Sequence, residues 1–183
     1  MTLISVGDRV PIDSVTTIDN QVISLINGKG LVHLQLKRFS GCPLCNVHMR
    51  FIANHLEDFE KVGLKEILVL HSDPSIIQEN QGTAEWSKGL TFVGDPKKEI
   101  YAKFGVGEVS GKSAFLSPRI LKIVAEGKKY VKGFKRAGDE SGKLTKPAEM
   151  IIDTSCGKII AIKYGENVYD QWTIEEILSK VKN

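Results

Sequence analysis

The sequence lacks most of the features that would place it outside ordinary globular proteins. Cysteines number three in 183 residues, too few for a disulfide-stapled scaffold, which packs more cysteines into less chain. No apolar run approaches the roughly 18 residues that span a membrane. Residues Met1 to Pro11 hold no basic stretch followed by an apolar run, so no signal peptide is expected and the expected compartment is the cytoplasm. Internal repeats and low-complexity tracts are missing, and 17 glycines and 6 prolines exclude a collagen-like chain. The net charge of +3 is too small to argue for nucleic acid, and neither a nucleic-acid nor a membrane partner is expected. What remains is 42% hydrophobic and 26% charged, a composition that builds a real core and excludes a disordered chain. The length favours one domain, 1–183.

The charge is unevenly spread. From Lys112 to Lys146 ten basic residues face three acidic ones, a local +7 that leaves the rest of the chain at −4. A solvated surface insertion is one reading of this segment. A site for an anionic partner or a membrane surface is the other.

Hydrophobic periodicity outlines the elements. Val22–Ile26 is a short apolar run closed by the turn signal Asn27-Gly28. Leu31 to Leu36 alternates apolar and polar residues, which predicts a strand. After Cys42 and Cys45 the period changes: Phe51, Ile52, Leu56, Phe59 and Val62 predict one helix of about five turns, ended by Gly63. Glu66–His71 reads as a strand buried on both faces. Asp73 reads as the N-cap of a following helix. Leu90–Val93 reads as a strand, and Asp95-Pro96 as the start of a helix through Phe104. The stretch from Val106 to Leu144 breaks the rhythm. It holds one predicted helix, with Ser117 as cap, Pro118 in the first turn, and Ile120, Leu121, Ile123 and Val124 as apolar face. Ala148–Ile152 and Lys158–Ile162 read as strands joined by a turn over Asp153–Gly157. A last amphipathic helix carries Trp172, Ile174, Ile177, Leu178 and Val181 behind the cap Thr173. This alternation of strands and helices predicts an α/β protein with a central mixed sheet flanked by helices.

The chemistry centres on Cys42-Pro43-Leu44-Cys45 at the junction of a strand and a helix. Unsatisfied helix N–H groups and the positive end of the macrodipole favour a thiolate there. Lys37 and Arg38 add positive charge. Cys42 is therefore the expected nucleophile and Cys45, three residues on, the resolving thiol. Two other readings stay open: a pair of inert buried thiols, and a zinc site using Cys42, Cys45, His48 and the distant Cys156. Cys156 otherwise reads as a turn residue. His48 reads as a helix-surface or pocket-lining residue, and His33 and His71 as hydrogen-bonded core residues.

The segment Gly41-Cys42-Pro43-Leu44-Cys45 resembles the active site of the thioredoxin superfamily. Gly7–Pro11, Thr17–Asn20, Ile23–Leu25 and Lys29-Gly30 are similar to the N-terminal extension of its peroxiredoxin branch (the AhpC/TSA and redoxin group). Lys146–Asp153 followed by Gly157–Ile159 is similar to that branch's proline, strand, turn and strand. The resemblance implies a thioredoxin-like fold with an N-terminal strand extension and a basic insertion, about 107–144, before the last hairpin. It implies that Pro147 is a cis proline facing the cysteines. It also implies a thiol-dependent oxidoreductase, acting on peroxides or disulfides, reset by an external thiol such as a thioredoxin-like protein or glutathione. Arg38, Arg119 and Pro43 join Pro147 as groove or thiolate-stabilising residues. No cofactor and no metal are implied, and a homodimer is compatible with the branch. One departure stands out: the positions seven and three before Cys42, a Pro and a Thr or Ser in typical peroxiredoxins, hold Gln35 and Phe39. A different class remains beside the enzyme, namely a thioredoxin-fold binding or redox-sensing module whose partner surface is the basic segment.

Overall fold

A short antiparallel hairpin, β1 (Ser14–Thr16) and β2 (Val22–Ser24), precedes the main sheet. The main sheet is built from β3 (Leu31–Leu36), β4 (Leu64–Leu70), β5 (Thr91–Gly94), β6 (Ala148–Asp153) and β7 (Lys158–Tyr164). Their spatial order is β5-β4-β3-β6-β7, with β3, β4 and β5 parallel and β6 and β7 antiparallel. This computed structural model describes residues 3–108, 118–135 and 145–181. Among them no helix is long and apolar enough to cross a membrane.

The helices in chain order are α1 (Pro43–Ala53), α2 (Leu56–Lys61), α3 (Pro74–Ile77), α4 (Glu99–Lys103), α5 (Pro118–Lys128) and α6 (Ile174–Val181). One face of the sheet packs Val32, Leu34, Leu36, Val69 and Met150 against Val15, Leu25, Tyr101 and Phe104, from the hairpin and α4. The other face packs Leu68, Leu70 and Ile151 beneath α1, α2, α5 and α6. The mixed sheet, its helical cover and the N-terminal extension are as the sequence predicts; of the expected insertion, about 107–144, residues 109–117 and 136–144 lie outside the described residues.

Several boundaries differ, each for a local reason. The single helix expected after the cysteines is two. Asn54 ends α1, and the His55 imidazole N–H bonds the Phe51 carbonyl at 2.8 Å while the His55 backbone N–H turns to Ile52. The side chain takes the place of a ladder bond, and the helix breaks. The helix expected from Asp95 begins at Glu99, because Lys98 adopts a left-handed φ of 57°. Asp95 still acts as its cap, accepting the N–H groups of Glu99, Ile100 and Tyr101. Asp73 caps α3 through the Ser75 N–H, and Thr173 and Glu176 form a reciprocal capping box on α6. In α5 the buried stripe is Ile120, Ile123, Val124 and Gly127, so Leu121, expected on that face, points to solvent. Its cap, expected at Ser117, lies outside the described residues.

The polar residues of β3 lie in the core. His33 is the hydrogen-bonded core residue expected, and Gln35 is buried beside it, because β3 is the central strand and is covered on both sides. The register places His33 beside Glu66 of β4 and Gln35 beside Glu149 of β6. His33 Nδ1 lies 3.0 Å from Glu66 Oε2, and Nε2 lies 3.4 Å from Glu149 Oε2. Gln35 donates to Glu66. Burial by itself would lower the His33 pKa, but the flanking carboxylates of Glu66 and Glu149 raise it from 6.5 to about 9. Burial by itself would raise Glu149, and His33 and Lys37 instead hold it at about 2.

His33 thus binds its proton more tightly folded than unfolded. Its contribution to stability is full below pH 6.5 and is lost as pH rises through about 9. In a Cys42→Ser background, which removes the opposing thiol titration, unfolding free energy falls by about 1 kcal/mol between pH 6.5 and 8, the buried Lys37, lowered to about 8, offsetting part of the His33 loss. Imidazole NMR checks the assignment: a His33 midpoint near 6.5 instead of 9 sinks the paired-cation reading.

Candidate redox site

Residues 37–42 carry the chain from β3 to the N-terminus of α1, and side chains hold this loop in place. Ser40 is fully buried: its N–H donates to Ser72 Oγ at 2.9 Å, and its hydroxyl donates to Gln81 and accepts from Asn80. Asn46, one turn into α1, donates to the Ser40 and Cys42 carbonyls, and Gln81 donates to the Ser40 carbonyl. The Tyr101 hydroxyl reaches the Lys37 and Val69 carbonyls, pinning the end of β3. Gln81 sits in a π-helical turn, Gln78–Gly82, that extends α3 back toward the loop. Such turns recur at functional sites.

Cys42 is the N-cap of α1, with φ −71° and ψ 115°. Its Sγ accepts the Cys45 N–H at 3.3 Å. A sulfur here does what a Ser or Asp oxygen does at an ordinary cap, and it feels the positive end of the helix. Pro43 occupies the first helical position, where its missing N–H costs nothing. The Cys45 thiol donates to Cys42 Sγ at 2.9 Å, and Arg38 Nη1 lies 3.6 Å from the same sulfur. Both cysteines are free thiols and both are buried. Burial would raise the Cys42 pKa. The Cys45 thiol, the Arg38 charge and the N–H groups of Cys45 and Leu44 overcome it and lower the pKa from 9.0 to about 6. Cys45 moves the other way, pushed well up by burial and by the neighbouring Cys42. The arrangement supports one thiolate and one thiol in contact, the state from which a disulfide forms once an oxidant takes two electrons.

Behind the pair lies a buried lysine. Lys37 Nζ bonds His48 Nδ1 at 2.7 Å and the Gln171 side-chain oxygen. His48 Nε2 in turn donates to the Trp172 carbonyl at 3.1 Å. Burial, then the Lys37 charge, lowers His48 to about 3, so its imidazole is neutral. Burial lowers Lys37 to about 8. His48 also lines a groove of about 640 Å³ with Ile120, Phe51, Tyr169, Gln171 and Trp172, as a pocket-lining role requires.

The structure brings Arg38, Cys42, Pro43 and Cys45 together. It does not make Pro147 a cis proline, since no cis peptide occurs among the described residues. Just before it, the Lys146 N–H donates to the Gly107 carbonyl and Thr145 bridges Glu108. Pro147 is buried against Gly165, and the register carries it opposite Lys37. Arg119 lies in the first turn of α5, and its side chain is outside the described residues. Cys156 is exposed in the β6–β7 turn. Both His48 nitrogens are engaged, and no cluster of three His, Cys, Asp or Glu side chains suited to a metal occurs among the described residues. His71 is buried, but its Nε2 has no hydrogen-bond partner among them. The residues that sequence reasoning missed are Ser40, Asn46, Asn80, Gln81, Glu149 and Gln171. Glu66 and Glu149 left a signal, a carboxylate inside an otherwise apolar strand. The amides left none.

No protein-family model matches the sequence, and no curated protein matches it. Solved structures do. A peroxiredoxin-like protein from Aquifex aeolicus is 18% identical, with TM-score 0.63 over 100% of this chain and 88% of that one. Reduced Prx3 from Vibrio vulnificus is 13% identical, with TM-score 0.68 over 99% and 100%. A protein described as thiol:disulfide interchange protein DsbE, from Chlorobium tepidum, is 15% identical, with TM-score 0.56 over 98% and 99%. At these identities the likeness shows the fold, which is the thioredoxin-like fold in its peroxiredoxin-like form.

The Cys42 thiolate should be visible at 240 nm, titrating near pH 6. Replacing Arg38 with Gln removes one facing charge and should raise that midpoint by roughly one unit. An unchanged midpoint would show that the helix terminus and Cys45 suffice.

Proposed function

We propose, from the redox geometry of this thioredoxin-like fold, that the chain is a peroxiredoxin-like thiol oxidoreductase that reduces peroxides or disulfides through Cys42 and Cys45. One observation carries the reading: a buried cysteine at a helix N-terminus, depressed in pKa, with a second thiol 2.9 Å from its sulfur. Fold neighbours that include both peroxiredoxins and a thiol–disulfide interchange protein are compatible with either substrate.

With a hydroperoxide, the Cys42 thiolate attacks the terminal peroxide oxygen. The O–O bond breaks, Cys42 becomes a sulfenic acid, and the leaving alkoxide or hydroxide takes a proton to become an alcohol or water. Cys45 then attacks the Cys42 sulfur, forming the disulfide and releasing water. With a disulfide, Cys42 attacks one sulfur and expels the other as thiolate. Cys45, losing its proton, then displaces the second thiolate from the mixed disulfide. Either way the chain ends as a Cys42–Cys45 disulfide. An external thiol, thioredoxin-like or glutathione, supplies the two electrons that restore it.

Arg38 stabilises the thiolate and the negative charge that develops on the leaving oxygen or sulfur. The hydroxyl missing at Phe39 is not replaced by Ser40, whose Oγ is committed to Gln81 and Asn80. The donors facing the Cys42 sulfur are Arg38 and the N–H groups of Leu44 and Cys45, which a bound peroxide would share with it. Pro43 stiffens the first turn of α1, and Pro147, just before β6, shapes the end of the sheet opposite Lys37.

Mixing reduced protein with one equivalent of hydrogen peroxide should remove two thiols per chain, at least 100-fold faster than a free cysteine reacts. Cys42→Ser should abolish the fast phase, and Cys45→Ser should stop at a sulfenic acid that dimedone traps. A rate equal to that of free thiol ends the peroxidase arm. Accumulation of mixed disulfides by Cys45→Ser would then carry the disulfide arm.

A further inference from the structure

Cys42 is 0% exposed and Cys45 2%, so a disulfide or thiol on another protein cannot reach either sulfur in this conformation. The cover is α5. Ile120, Ile123 and Val124 join the apolar cluster that holds Cys42, Leu44, Cys45 and Met49. The fourth position of that stripe is Gly127. A Cβ placed there would lie 2.3 Å from the Pro43 carbonyl oxygen. Glycine weakens a helix interior, and here it lets the α5 backbone rest directly on the C-x-x-C turn. The opposite face of α5, with Leu121, Lys122, Ala125 and Glu126, is exposed. On the sheet side, the helix is held by that one stripe.

The chain following α5 is fastened separately. Tyr130 lies over the Arg50 guanidinium at 4.3 Å, and Trp86 covers Arg50 at the same distance from its own ring. Asn80 exchanges two hydrogen bonds of 2.8 Å with the Lys135 backbone, while its amide also donates to Ser40, two residues before Cys42. The clasp and the cysteine loop therefore share a side chain.

We propose that α5 with its clasp is a lid over Cys42 and Cys45 that sorts reactants by size. This rests on the thiol oxidoreductase reading. With the lid shut, a hydroperoxide enters along the groove beside Ile120 and His48, and Cys42 reduces it by way of the sulfenic acid and the Cys42–Cys45 disulfide. A protein disulfide, or a protein dithiol reductant attacking the Cys42–Cys45 disulfide, engages only after α5 lifts from Pro43. Movements of this kind gate many active sites.

The test uses full-length reduced protein with two thiol probes, iodoacetamide and a 5 kDa polyethylene-glycol maleimide. Labelling is mapped by mass, with exposed Cys156 as internal reference. Iodoacetamide should label Cys42, while the polymer probe labels Cys42 at least 100-fold more slowly than Cys156. Gly127→Leu, which collides with Pro43, and Tyr130→Ala, which opens the clasp, should each raise polymer labelling of Cys42 tenfold or more. Single-turnover consumption of hydrogen peroxide should change less than about threefold. Circular dichroism confirms folding, and Tyr130→Ala decides the matter if Gly127→Leu does not fold. The lid is overturned if the polymer labels wild-type Cys42 as fast as Cys156, if both small and large probes are excluded, or if the folded variants leave polymer labelling unchanged. Failure to consume peroxide while the labelling pattern holds would count against the peroxidase reading and leave the lid standing.

Discussion

The structure depends on a row of charges that the sheet cannot leave unpaired. His33, Gln35 and Lys37 occupy alternate positions on the central strand and its extension, all on the face beneath α1 and α6, and all are buried. An isolated charge in that setting costs several kcal/mol, so each must meet a partner. Glu66 comes from β4 and Glu149 from β6. His48 comes from α1 and Gln171 from the segment before α6. Moving any of these strands by one residue would put a carboxylate on the wrong face. The row thereby ties sheet register, the seating of the cysteine helix and the approach to α6 into one condition. Trp172 closes it, with its N–H on Glu149 and its carbonyl on His48.

On that base the two thiols, alike in sequence, become unlike in chemistry. The difference arises from position within one helical turn. Cys42 sits outside the helix, where N–H groups converge on it, and it has Arg38 beside it. Cys45 sits inside the turn, with its own N–H already spent on Cys42. Burial works against ionisation at both, so the sulfur that collects the donors ionises and its neighbour keeps its proton. The amide cage around Ser40 holds the loop that makes this asymmetry durable.

Much of this was legible in the residues. Period-two and period-3.6 patterns located the strands and most helices, and the C-x-x-C pair lies at the strand–helix junction where the pattern changed. Thr173 and Asp73 announced their caps. The misses have physical causes. His55 breaks a helix by replacing a backbone bond with a side-chain one, which no hydropathy pattern records. His33 was legible as a hydrogen-bonded core residue, but its partners lie on neighbouring strands, and alternation alone cannot distinguish one covered face of a strand from two. Asn46, Asn80 and Gln81 act through hydrogen bonds between segments far apart in sequence. Gly127 carries no signal in the sequence, because what requires it is the Pro43 carbonyl of another helix.

The low pKa of Cys42 has one more consequence, for the bookkeeping of protons against electrons. Below about pH 6 both thiols of the reduced pair hold their protons, and above it only Cys45 does. Closing the disulfide therefore releases two protons in acid and one near neutrality. The reduction potential of the pair must fall with pH at half the slope above that point. Around physiological pH, its oxidising strength relative to an ordinary dithiol then drifts with every change in acidity.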